Sequence, residues 1–131
     1  FVPRLDAEEI RTREQNIVLE EARIVADNYQ RVDDRFTSET VDTQWTEQMT
    51  AELQAGISGN ESLEKSFTYV ECRSTLCRVE AAPAEDGTRV SLRDLHREVP
   101  GLSTAAPSAI SFANPDGSTV FFLVRAGYEV P

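Results

Sequence analysis

The sequence predicts an α+β domain: one four-stranded antiparallel sheet built from two hairpins, with helices packed on one face and a long N-terminal helix leading in. Three observations carry this expectation. Residues 6–36 contain neither Pro nor Gly and place apolar side chains at helical spacing. Two pairs of short runs rich in β-branched and aromatic residues are each joined by a short turn. A helix-periodic segment lies between those pairs, giving the order α-α-β-β-α-β-β, and two hairpins with helices between them suggest one antiparallel sheet. The 131 residues make a single domain, residues 1–131, with the long helix over 1–36 partly projecting and a compact α+β core over 37–131.

The long helix carries Val18, Ala22, Val25, Tyr29, Val32 and Phe36 at intervals of four and three, a clean amphipathic stripe. Ile10, Ile17 and Ile24 form a second row at spacing seven. Two rows imply two contacts, the helix's own sheet and a partner or second copy. A helix that is simply wider on its buried side would give the same pattern. The segment before Ile17 is mostly charged and is expected to project into solvent. Residues 1–4 read as a lead-in, with Pro3 near the helix start.

Asp42 is the expected N-cap of a second helix reaching about residue 55. Trp45, Met49, Leu53 and Ile57 recur every four residues, a stripe that reads as core rather than as a ligand box. Gly56, Ser58, Gly59 and Asn60 end this helix. Asn60-Glu61-Ser62 matches a glycosylation sequon, but so short a pattern arises readily by chance and is discounted. The first hairpin spans residues 66–82, and residues 83–87 form a polar turn. A third helix over residues 90–98 starts at Ser91 and Asp94, which have capping-box spacing, and buries Leu92, Leu95, Val99 and Leu102. Pro100-Gly101 stops it, and residues 103–108 form a loop of small residues. The last hairpin has strands at 109–112 and 119–124 around the turn Asn114-Pro115-Asp116-Gly117. Its return strand is apolar on both faces, so it belongs at the centre of the sheet, covered on both sides.

Both cysteines fall in Glu71-Cys72-Arg73-Ser74-Thr75-Leu76-Cys77-Arg78-Val79-Glu80. If Cys72 faces Cys77 across a four-residue loop, Glu71 faces Arg78, Val70 faces Val79, and Tyr69 faces Glu80. One face then holds Val70, Cys72, Cys77, Val79 and Ala81, and the other Phe67, Tyr69, Glu71, Arg78 and Glu80. That register yields an apolar face and an opposite-charge cross-strand pair together, and a one-residue slip would bury Glu71 and Arg78. Four readings compete for the thiols. Directly opposed strand residues stand close enough for a disulfide, whose short loop would contribute on the order of 2 kcal/mol. A redox dithiol normally uses a two-residue spacing before a helix. Zinc wants four ligands, more than two Cys and one His supply without a carboxylate. Two reduced buried thiols are the fourth reading and the main rival of the first.

The net charge is −10, with 15 acids against 7 bases in residues 1–65 and 8 against 6 in the remainder. No basic patch or aromatic-basic interleave occurs, which disfavours nucleic acid and anionic membranes as partners and favours a basic protein surface or cations. Twelve Arg stand against one Lys, Lys65, which reads as the bias of a GC-rich bacterial genome and argues against lysine-based covalent catalysis. No apolar run approaches a transmembrane helix in length. The chain starts at Phe1 without Met, as a mature or trimmed product would.

No catalytic constellation emerges. His96, the only histidine, lies on the rim of the third helix's stripe and reads as a surface residue. Phosphate-binding Gly loops, nucleophile elbows and His-Glu-x-x-His are absent from the sequence. Acid pairs such as Glu20/Glu21 lie on helices, where neighbours do not face each other. Asn114-Pro115-Asp116-Gly117 is too short and acid-poor for calcium. Arg73, Arg78 and Arg125 could cluster to grip an anion, although cross-strand pairing explains Arg78 alone. No metal or other cofactor is expected.

The stretch from Val70 to Glu80 resembles a hairpin motif of poorly characterised exported proteins and lipoproteins of proteobacteria. In those proteins it also follows a Trp-bearing helix, as Trp45 does here. The resemblance loosely covers residues 40–125, is specific only over its eleven-residue core, and leaves the long helix outside. It implies an envelope location and an oxidised cysteine pair, and brings no activity. The expected function is a non-enzymatic interaction module or accessory subunit of a bacterial cell-envelope complex, periplasmic or otherwise exported. Its partner would be another envelope protein or a second copy of itself. Ile10, Ile17, Ile24, Phe67 and Tyr69 are the candidate partner-binding residues. The alternative is a small-molecule sensing domain with a pocket near Trp45.

Overall fold

A computed structural model describes residues 6–131 of the chain, the Ser62 side chain excepted. The Pro3 reading falls outside the described residues. Helix α1 runs Ala7–Ser38, α2 Thr43–Ser58 and the short α3 Glu61–Ser66; β1 is Phe67–Cys72 and β2 Leu76–Ala81. Helix α4 spans Leu92–Glu98 and α5 Leu102–Ala105, and β3 (Ser108–Ala113) and β4 (Thr119–Val124) close the chain. Apart from the two short helices α3 and α5, the order is the one expected.

Local chemistry explains the helix starts. The Asp6 carboxylate accepts the Glu9 N–H at 2.8 Å, and Asp42 accepts that of Trp45 at 3.2 Å. Asn60 caps α3 through the Leu63 N–H, a signal hidden in the sequence among residues that read as the end of α2. Ser91 and Asp94 form a complete capping box, so α4 begins at Leu92 and Val90 enters the core from the preceding loop.

The sheet order is β1-β2-β4-β3, all antiparallel. In the first hairpin Cys72 pairs with Cys77, Glu71 with Arg78, Val70 with Val79 and Tyr69 with Glu80, the expected register. The cysteines are joined in a disulfide, with Cα atoms 4.0 Å apart. A bulge at Thr68 corrects one expectation. The extra residue turns Phe67 opposite Ala81, onto the staple face, where it packs against the core. Phe67 and Tyr69 therefore point to opposite sides of the sheet.

Strand β4 is buried along its whole length. Phe121 and Leu123 face one way, Phe122, Val120 and Val124 the other, so both sheet faces require a cover. Trp45, Met49, Leu53 and Ile57 of α2, with Leu63, Leu95 and Leu102, form the core over Cys72, Cys77, Val79, Phe121 and Leu123. Among the described residues, α1 covers the opposite face, through Tyr29, Val32 and Phe36 against Leu76, Phe112 and Phe122. The helices thus flank the sheet on both sides. The physical reason is the α1 stripe itself, whose last three members match the apolar side of β4 that α2, α4 and α5 leave open.

Candidate interaction surface

The stripe on α1 is covered only in part. Val32 is fully buried, whereas Val25 and Val18, one and two heptads earlier on the same helix face, are 51% and 63% exposed. Every residue from 6 to 27 is exposed. The projecting stretch of α1, residues 7–27, is about 31 Å long. The isoleucine row lies there too, so Ile10, Ile17 and Ile24 are all open to solvent, as is Leu19. Helical geometry at about 100° per residue sets the isoleucine row beside the valine stripe, with Glu14 and Glu21 between them.

Below this stretch α1 is held firmly. The Tyr29 ring meets Phe112 edge-on at 5.2 Å, and Phe36 and Tyr29 both lie 6.1 Å from Phe122. The Arg78 guanidinium lies over the Tyr29 and Phe122 rings, donates to the Tyr29 hydroxyl at 2.8 Å and pairs with Asp33 at 3.0 Å. Burial raises the Tyr29 phenol above its ordinary range, against the opposing pull of Arg78. Arg73 stacks over Phe36 at 5.2 Å. Where the helix leaves the sheet, Val18, Ala22, Val25 and Tyr29 form a groove of about 670 Å³ with Phe112 and Pro115 of the β3–β4 hairpin.

The loop closed by the disulfide anchors the end of α1. The Glu39 carboxylate accepts the Thr75 N–H at 3.0 Å and also the Thr75 hydroxyl, and Arg73 donates to the Glu39 carbonyl at 3.3 Å. Arg125 reaches the Ser74 carbonyl at 3.1 Å and the Asp42 carboxylate at 2.9 Å. The disulfide is buried in the staple-face core. Arg73, Arg78 and Arg125 are therefore separately committed, to Glu71, to Asp33 and Glu80, and to Asp42.

The remaining sequence candidates lie apart from α1's open face. Tyr69 is exposed on β1 and donates to Glu71, which raises its phenol above the ordinary range. Trp45 is 4% exposed beneath the Arg125 guanidinium and fills the core. His96 is half-buried on α4, where neighbouring Asp94 is engaged by the Ser91 cap and by Arg97. Among the described residues there is no cluster of three or more His, Cys, Asp and Glu disposed to hold a metal ion. No helix among them is long and apolar enough to cross a membrane.

Comparison with protein-family models, curated proteins and solved structures finds no match. The surface must be read from its own chemistry. The sequence points to Ile10, Ile17 and Ile24, and the structure adds Val18 and Val25 to that surface. It also adds the groove against Phe112 and Pro115, which no local pattern encodes.

Proposed function

We propose that the chain is a non-enzymatic interaction module whose projecting α1 segment docks onto another protein, as an accessory part of a bacterial cell-envelope complex. One observation carries this reading: the apolar stripe that seals α1 onto the sheet continues back through Val25, Ala22 and Val18, where among the described residues no other element buries it. In proteins most helical stability comes from packing an apolar face rather than from intrinsic propensity. Covering the five large exposed apolar side chains of its apolar arc, Ile10, Ile17, Val18, Ile24 and Val25, would contribute on the order of 5 kcal/mol before the costs of association. The buried disulfide supports an oxidising compartment, and the hairpin's resemblance to exported proteobacterial proteins points the same way.

The test is the size of the chain isolated from its own cells, by native mass spectrometry. A complex that is lost on removing residues 1–16 is the expected result. A monomer without any partner would overturn the proposal.

A further inference from the structure

Resting on the docking reading above, we infer that the partner presents a basic amphipathic helix. Glu14 and Glu21 stand two turns apart, about 10.5 Å along the axis, inside the apolar arc rather than on the polar side of α1. Among the described residues neither makes a side-chain ion pair or hydrogen bond, which is true of Glu8 and Glu9 as well; what sets Glu14 and Glu21 apart is their place between the two apolar rows. A carboxylate on a permanently wet face is satisfied by water. One set in a face that becomes covered loses that water and requires a cation from whatever covers it.

The shape agrees with the charge. Glu21 lies on the rim of the groove against Phe112 and Pro115, and Glu14 borders the smaller trough at Val18, which Arg11 also lines without pairing with Glu14. A helix laid along α1 would set side chains at i, i+3 or i+4, and i+7 on Val18, Ala22 and Val25. Lys or Arg spaced seven residues apart on that helix would meet Glu14 and Glu21. A second copy fits less well: parallel α1 helices in register set Glu14 against Glu14 and Glu21 against Glu21. The net charge of −10 also repels another copy and attracts a basic partner.

The test uses the full chain and two synthetic helical peptides of about 21 residues sharing one leucine stripe. One carries Arg beside the stripe at two sites a heptad apart; the other carries Glu there. Fluorescence anisotropy should show the Arg peptide binding about tenfold more tightly. The gap should close as salt rises from about 50 to about 500 mM. Glu14→Arg/Glu21→Arg should reverse the preference while leaving the far-UV circular dichroism of the fold unchanged. Equal binding of both peptides, abolished by Val18→Asp/Val25→Asp, would overturn the basic-partner inference and leave the docking face standing. Binding of neither peptide would overturn both. Sedimentation of the chain alone as a dimer at neutral pH would overturn the inference in favour of a second copy.

Discussion

Glu39, just beyond the end of α1, places its carboxylate in the turn of the disulfide hairpin, where Thr75 supplies both its backbone N–H at 3.0 Å and its hydroxyl. The two residues are 36 positions apart, and the Glu39 side chain is 7% exposed. This contact ties the α1–α2 connector to the sheet. Hydrogen bonds to a charged group, and the cost of stranding the Thr75 N–H, make Glu39→Ala worth about 3 kcal/mol of stability. Urea unfolding of that variant should show the loss, and Glu39→Gln should recover part of it. A loss below about 0.5 kcal/mol would mean that water replaces the carboxylate at no cost.

The disulfide holds the loop that receives Glu39. Cys72→Ala/Cys77→Ala should remove about 2 kcal/mol through the freed unfolded chain, and more where truncation leaves space in the core. Alkylation without reductant, followed by intact-mass measurement, should find no labelled thiol in the native chain. Two labels would refute the bridge.

Asp42 links α2 to the same region. Its carboxyl is held below the ordinary range by the Arg125 guanidinium first, then by the Trp45 N–H. A folded pKa below the unfolded one means that the unfolded chain takes up a proton first as pH falls. The stabilisation is thus present above the unfolded value of about 3.9 and is lost as pH falls through the folded value. Asp42→Asn should be less stable than the native chain at neutral pH, with the difference shrinking below about pH 4. Urea midpoints measured across that range check this. A difference that stayed constant into strong acid would contradict it.

Gly56 marks where α2 and α4 meet backbone to backbone. A Cβ there would stand 2.5 Å from the Glu98 carbonyl oxygen and 2.6 Å from Val99 Cγ2. Gly56→Ala should therefore destabilise by about 2 kcal/mol, although alanine is the better helix former by about 1 kcal/mol. An unchanged or raised urea midpoint would show that the two helices separate freely.

Much of this architecture was legible because its signals are local. Asp42 and Ser91 announce helix starts, and the charges of Glu71 and Arg78 select one hairpin register. The two-sided apolar run of β4 required a central strand with covers on both faces. Other features were not legible for equally definite reasons. The Thr68 bulge leaves the alternation on either side intact, so only strand pairing reveals that Phe67 has changed face. Glu39 and Thr75 meet through the fold, and no spacing encodes that. The spacing of Val18 and Val25 is the same as that of Val32, yet only Val32 is covered. The extent of the sheet beneath the helix, a tertiary property, decides where the buried stripe ends and the open one begins.

We propose one face of the projecting segment of α1 as a docking surface. Site-specific photocrosslinking in the cells that make the chain tests it most directly, with a photoreactive side chain placed at Val18, Val25, Arg23 or Asp27 in turn. These four positions lie on one exposed stretch of helix, the first two on the apolar arc and the last two on the opposite side. Adducts to a second polypeptide from positions 18 and 25, with none from 23 and 27, are the predicted result. Equal labelling from both sides, or no adduct from any of the four, would contradict it.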